Sequence, residues 1–230
     1  MTEKISQKKM KFDLHLHSSN SPDGNHSPGE IVKYAKNIGL SGIAFTDHNS
    51  VSGHAEALKA AKEVGDFIVV RGIEVSTISG HVLGLGISEP IKKGLSVAET
   101  IDKIVSQGGV AVAAHPYRLV SGIGEFSVRN NKFDAIEVFN RAISARKNEY
   151  AKVLASQLET AVTGGSDAHV LEEIGLGYTL LSDVSSEDDV VKAIKAKKTE
   201  SEGVSVDSIT LVRRMVTSTF RWFSRGMVRI

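Results

Sequence analysis

The sequence predicts an α/β fold built on a mainly parallel sheet or barrel, and three observations carry that prediction. Short apolar or β-branched stretches alternate with amphipathic helical stretches from Phe12 to Lys197, the cadence of strand–helix units. Most of the strand-like stretches run straight into polar residues of metal-ligand type. Barrel enzymes gather their working side chains at the C-terminal ends of their strands in this way. The length of 230 residues suits one domain of that kind.

In chain order, Phe12–Leu16 alternates apolar and polar residues and reads as a strand. Side chains two apart on a strand share a face, about 6–7 Å apart along the chain. His15 and His17 can therefore converge on one ion. Asp13 shares that face but lies deeper, which predicts a carboxylate orienting a liganding histidine. Ser21-Pro22-Asp23-Gly24 then turns the chain and leaves Asp23 close by. Ser27, Pro28 and Glu30 spell a capped helix start, and the helix Glu30–Asn37 ends at Gly39. Ser41–Thr46 is an apolar strand that delivers Asp47 and His48 to its end. Asp47 points away from His48, so a supporting place behind the ligands is expected for it. His54–Val64 is helical and stops at Gly65. Phe67–Val75 is a β-branched strand carrying Glu74, and Thr77–Gly86 predicts a hairpin that holds His81. Ser96 and Glu99 form a second capping box, for a helix running to Gln107.

Val110–Ala114 is a strand ending at His115, and Phe133–Phe139 is one ending at Asn140 and Arg141. Ala142–Leu158 reads as a helix. Ala161–Thr163 opens into Gly164–His169, where Asp167 and His169 repeat the spacing of the first histidine pair. Tyr178–Leu181 is strand-like, and Glu187–Lys197 is helical behind Ser185 and Ser186. Six of the eight histidines fall at these strand ends or in the hairpin beside Glu74. His26 and His54 lie outside the pattern and are expected to be solvated or capping residues. Arg118 and Arg141 follow ligand-bearing strand ends, where a guanidinium can clamp phosphate or form a surface salt bridge.

Composition removes several classes of function. Hydrophobic content of 41% with 24% charged residues is that of a globular domain. A net charge of +1 gives no whole-molecule bias toward nucleic acid. There is no cysteine, hence no disulfide, thiolate metal site or cysteine nucleophile. No apolar run approaches the roughly 18 residues of a membrane span and no apolar leader is visible, so a cytoplasmic protein is expected. The glycine pairs lack the spacing of a dinucleotide fingerprint or a P-loop, and Gly-x-Ser-x-Gly is absent. Two units are expected, a catalytic domain over 1–205 and a basic tail over 206–230. The tail carries Arg213, Arg214, Arg221, Arg225 and Arg229, and Ile209, Val212, Val216, Phe220 and Phe223 form one helical stripe. Such a stripe docks on the barrel, lies on a membrane surface or accompanies contacts to RNA phosphates.

Five stretches together resemble a known family. Asp13–Ser18 (DLHLHS), Thr46–His48 (TDH), Gly72–Ser76 (GIEVS), Ala114–Pro116 (AHP) and Gly165–His169 (GSDAH) are similar, in this order, to the motifs of the PHP (polymerase and histidinol phosphatase) domain. The resemblance covers roughly residues 11–200. It implies a distorted (β/α)7 TIM-like barrel that hydrolyses phosphoesters with about two to three divalent ions. Carried over by motif, His15, His17, Glu74 and Asp167 would hold the first ion. Glu74, His81 and His115 would hold the second, and Asp23, His48 and His169 the third. Mixed imidazole and carboxylate ligands suit Mn²⁺, Fe²⁺ or Zn²⁺, and a bridging Glu74 would let two ions share a hydroxide. The residues most directly tied to the chemistry would be Glu74, Asp167 and His115, with Arg118 and Arg141 on substrate phosphate. The SxSPDG and GHVLGLG stretches look most like the branch of nucleoside 3′,5′-bisphosphate phosphatases and 5′–3′ exoribonucleases. That branch carries an inserted lid domain between the positions of His81 and His115, and here only 33 residues separate them. The expected substrate is a nucleotide or an oligonucleotide end. Histidinol-phosphate or sugar-phosphate monoesters, and a non-catalytic module in a nucleic-acid complex, are the alternatives.

Overall fold

The computed structural model describes residues 9–205; the tail over 206–230 lies outside the described residues. Nine strands and six α-helices follow one another as β1 (Met10–Leu16), α1 (Pro28–Asn37), β2 (Gly42–Phe45), α2 (His54–Val64), β3 (Ile68–Thr77), β4 (Gly80–Leu85), α3 (Val97–Ser106), β5 (Val110–Ala113), α4 (Glu125–Arg129), β6 (Ala135–Asn140), α5 (Ala145–Gln157), β7 (Ala161–Gly165), β8 (Gly177–Leu181), α6 (Glu187–Lys195) and β9 (Glu200–Gly203). Both sequence-predicted capping boxes form, with Ser27 and Ser96 accepting from the backbone N–H of Glu30 and Glu99. The short α4 and the polar β9 carry no periodic apolar signal, and the sequence did not announce them.

The strands form one sheet in the order β7-β6-β5-β4-β3-β2-β1-β8-β9. It curls into a distorted barrel of β1 to β7. At the top, the chain past β7 meets β1 directly: Asp167 N–H donates to His15 C=O at 2.8 Å, and His17 N–H to Ala168 C=O at 2.9 Å. At the bottom β8 wedges the seam open, pairing antiparallel with Met10–Phe12. The Thr179 hydroxyl on β8 takes up both backbone groups of Gly164. The seam needs Gly165, because a Cβ there would lie 2.4 Å from the Cβ of His15. The barrel also departs from an all-parallel one, since β4 runs antiparallel to both β3 and β5.

Alternation decides which side chains face the interior. On β3, Ile73 and Val75 pack in the same cluster as Ile101 and Ile104 of α3 and Leu154 of α5, so Glu74 between them points inward. Ile136 and Val138 do the same on β6 and turn Glu137 inward. β1 breaks the rule. Its register on β2 slips between Asp13 and Leu16, a bulge that reverses the faces. Phe12 and Leu14 therefore belong to the interior cluster, whereas Leu16 packs with α1 and α2. The lower interior is apolar and includes Leu83, Leu85, Val110 and Val112, with Val190, Val191 and Ile194 of α6 in the same cluster.

Candidate metal centre

Above that apolar plug, the strand ends place His15, His17, Glu74, His115 and Asp167 within the barrel mouth, all buried. Glu74 is the hub. Its Oε2 lies 3.4 Å from His15 Nε2, 3.3 Å from His17 Nε2 and 3.1 Å from His48 Nδ1. Its Oε1 lies 2.7 Å from His81 Nδ1 and 3.0 Å from His115 Nε2. Asp167 Oδ1 faces the first pair, 3.8 Å from His15 Nε2 and 3.4 Å from His17 Nε2. Those two nitrogens are buried and have no hydrogen-bond partner among the described residues, a costly state for polar atoms. Four donors around one ion with bonds near 2.1 Å sit about 3.4 Å apart in a tetrahedron. The separations of the two nitrogens from Glu74 Oε2 and from Asp167 Oδ1, 3.3–3.8 Å, match that spacing pair by pair, while the donors that gather on one point are His15, His17 and Asp167 without Glu74.

Among the described residues, four groups could hold an ion: His15, His17 and Asp167; His15, Glu74 and His115; His48, Glu74 and His81; and His17, Asp23, His48 and His169. All nine side chains singled out from the sequence thus come together. Their sharing differs from the expected one in three respects. Glu74 does not gather with His15, His17 and Asp167 together, but with His15 and His115 and with His48 and His81. His81 and His115 both reach Glu74, yet they gather with different partners, His48 and His15 respectively. His17 also joins the outer group, in which Asp23 Oδ2 lies 3.0 Å from His169 Nε2 and 3.7 Å from His48 Nε2.

The electrostatics are those of a crowded mixed-charge cluster. Burial alone would push the His17 imidazole down, but Asp167 and Glu74 lift it to about 10. His15 is likewise raised against its burial, by Glu137, Glu74 and Asp167. His48 goes the other way, to about 3, through burial and the neighbouring His17 and His81. Glu74 and Asp167 are held well below the carboxylate range despite burial, Glu74 chiefly by His81 and His48, Asp167 chiefly by Arg118 and His15. Two members carry backbone strain as well. His115 and Asp167 have φ of 28° and 53°, in the left-handed region that costs non-glycine residues about 1–3 kcal/mol.

Several expectations change at closer range. Asp13 does not orient a histidine ring, because the β1 bulge removes it from the face of His15. Its carboxylate instead accepts Ser166 N–H at 2.9 Å, Ser166 Oγ–H at 2.5 Å and Gly175 N–H at 2.9 Å, which pins the turn bearing Asp167. Burial raises this carboxyl to about 6. Asp47 accepts the N–H and hydroxyl of Ser18 at 2.6 and 2.7 Å, fixing the chain just past His17 without touching a ring. His54 is neither solvated nor a cap: it is buried, with Nε2 2.8 Å from Gly72 C=O. Arg118, partly exposed at the mouth, pairs inward and donates to Asp167 Oδ2 at 2.5 Å, which leaves Oδ1 for the imidazoles. Arg141 follows β6 beside the mouth, its N–H on Gly165 C=O.

The sequence reading missed two residues. Ser21 donates to Asp23 Oδ1 at 2.9 Å and accepts His48 N–H at 3.3 Å. Glu137, buried on β6, lies 2.9 Å from His15 Nδ1 through Oε1. Its signal was present, as the one acidic residue inside the apolar run Ala135–Phe139.

Comparison with known proteins points to the same family. A family model described as PHP-associated matches residues 145–199. The fold is similar to that of a two-domain protein of Bacteroides vulgatus containing a predicted PHP-like metal-dependent phosphoesterase. The TM-score is 0.73 at 17% identity, over 90% of this chain and 69% of that one. The chain belongs to the PHP family. Among similar proteins, the 5′-3′ exoribonuclease of Haemophilus influenzae is 29% identical over 66% of this chain and 63% of its own. An uncharacterized protein of Methanocaldococcus jannaschii is 41% identical over 57% of this chain and 82% of its own length. Among the described residues, no helix is long and apolar enough to cross a membrane.

Proposed function

We propose that the protein is a divalent-metal-dependent phosphoesterase acting on a nucleotide or on the end of an oligonucleotide. One observation carries the reading. His15 Nε2 and His17 Nε2, buried and without hydrogen-bond partners among the described residues, face Glu74 and Asp167 oxygens at ligand-to-ligand spacing. Divalent ions bound there, Mn²⁺, Fe²⁺ or Zn²⁺ by ligand chemistry, supply Lewis acidity and lower the pKa of water.

The chain's own residues do the rest. Glu74, reached by five imidazoles, holds those side chains in register and would be shared between ions bound there. Asp167 is oriented by Arg118, whose side chain is about one-third exposed at the mouth. A phosphate oxygen arriving there meets a fixed planar donor, the geometry that suits bidentate binding. Arg141, at the next strand end, adds positive charge on the same face. Similarity to an exoribonuclease supports the nucleotide class. The short connection between His81 and His115, spent on the end of β4, on α3 and on β5, supports a mouth open to small substrates.

The test is phosphate release from nucleoside bisphosphates and shortening of 5′-labelled oligoribonucleotides by Mn²⁺-loaded protein. Wild type is expected to hydrolyse at least one of these. His15→Ala and Asp167→Ala should fall to background with circular dichroism unchanged. Full activity in either variant at unchanged metal content would contradict the assignment.

A further inference from the structure

The geometry points to Glu137 as the residue that presents His15 to a metal, by fixing which of its two ring nitrogens carries the proton. The inference rests on the metal-dependent reading above, and it concerns a side chain outside every candidate ligand group.

Glu137 is 1% exposed and both of its oxygens are engaged. Oε2 accepts two N–H groups, from the His115 backbone at 2.8 Å and the Asn140 side chain at 3.0 Å. Oε1 faces only His15 Nδ1, at 2.9 Å. A carboxylate is an acceptor at both oxygens, so His15 Nδ1 must donate. In the neutral ring this leaves the lone pair on Nε2, the nitrogen that faces Glu74 and Asp167 and has no hydrogen-bond partner among the described residues. A carboxylate behind a liganding histidine fixes tautomer and ring plane and raises ligand basicity.

The arrangement depends on a local irregularity. The β6–β7 register slips between Glu137 and Phe139. This bulge lets Glu137 and Asn140, three residues apart, bond directly inside the barrel. Asn140 in turn lies 3.4 Å from Asp167 Oδ2, and the Glu137 bond to His115 N–H holds a residue whose φ is 28°. One carboxylate thus touches two of the candidate ligands and reaches a third through Asn140.

The same geometry makes Glu137→Gln informative. Its amide oxygen must face the two donors, His115 N–H and the Asn140 amide. Its NH₂ then faces His15 Nδ1 and requires that nitrogen to accept. The proton moves to Nε2, where it blocks metal. A residue of purely structural weight would tolerate this isosteric change, whereas a positioning residue would not.

The experiment is Zn²⁺ titration of the full chain by calorimetry, with histidine tautomers read by ¹⁵N-edited NMR. Wild type loaded with Zn²⁺ should show His15 protonated at Nδ1. Glu137→Gln should keep its melting temperature, lose about 10- to 100-fold in affinity at one site, and show His15 protonated at Nε2. Unchanged Zn²⁺ affinity in the variant would overturn the proposal. So would an Nε2-protonated His15 in Zn²⁺-loaded wild type, a readout that holds even if the variant does not fold. Neither measurement uses activity. A protein that binds Zn²⁺ this way but cleaves no phosphoester would sink the functional reading and leave this one standing.

Discussion

The two ends of the barrel interior are built on opposite principles. The lower end is apolar and sealed, with Phe12, Leu14, Leu85 and Val112 in one cluster with the inner face of α6. The upper end packs imidazoles and carboxylates within a few ångströms and holds His115 and Asp167 at positive φ. Burying such a cluster is unfavourable unless its charges are paired. The contrast teaches that the lower end stabilises the fold, while the upper end stores chemistry at the expense of stability. The β1 bulge is where one regime passes into the other, since it turns the interior face from Phe12 and Leu14 to His15 and His17.

That division can be broken from below. Phe12→Ala empties a fully buried site and should cost about 3–5 kcal/mol of stability, measured by urea unfolding. Metal stoichiometry per folded molecule should not change. A loss of metal from the folded fraction would show that the two ends are coupled.

It can be sharpened from above by adding a divalent metal, the class of ligand proposed for the upper end. Mn²⁺ at 100 times its dissociation constant should stabilise the protein by about 2.7 kcal/mol through mass action, read as a rise in melting temperature that a chelator reverses. No rise would mean that the buried cluster is satisfied without metal.

A further effect separates the ends by pH. His17 rises from 6.5 to about 10 in the metal-free fold. Its protonated form therefore contributes stability that is fully present below pH 6.5 and is lost as pH climbs through about 10. A bound metal must displace that proton. Binding near pH 7 should then release protons, detected as a buffer-dependent calorimetric enthalpy. The pH dependence of stability should flatten when Mn²⁺ is present. Identical enthalpies in all buffers would contradict this.

Much of this was legible in the sequence because it rests on local rules. Capping residues marked the starts of α1 and α3, and the β-branched stretch Phe67–Val75 marked the strand that carries Glu74. The two-apart histidine and Asp–His pairs announced the site. What escaped reading depends on pairings between strands distant in sequence. The role of Asp13 was misjudged because a bulge against β2 reverses its face. Glu137 was overlooked because its partner, His15, lies 122 residues away. Its bond to Asn140 also needs a second bulge. His54 followed no pattern because its partner is a backbone carbonyl on β3. The antiparallel placement of β4 between β3 and β5, and the wedge made by β8, are likewise properties of the closed barrel.

The most direct test of the central claim is the metal content of the full chain by elemental analysis, after Mn²⁺ loading and desalting. The account predicts about two to three equivalents per chain, reduced in His15→Ala and in Asp167→Ala. Folded wild-type protein that retains no metal under these conditions would contradict it.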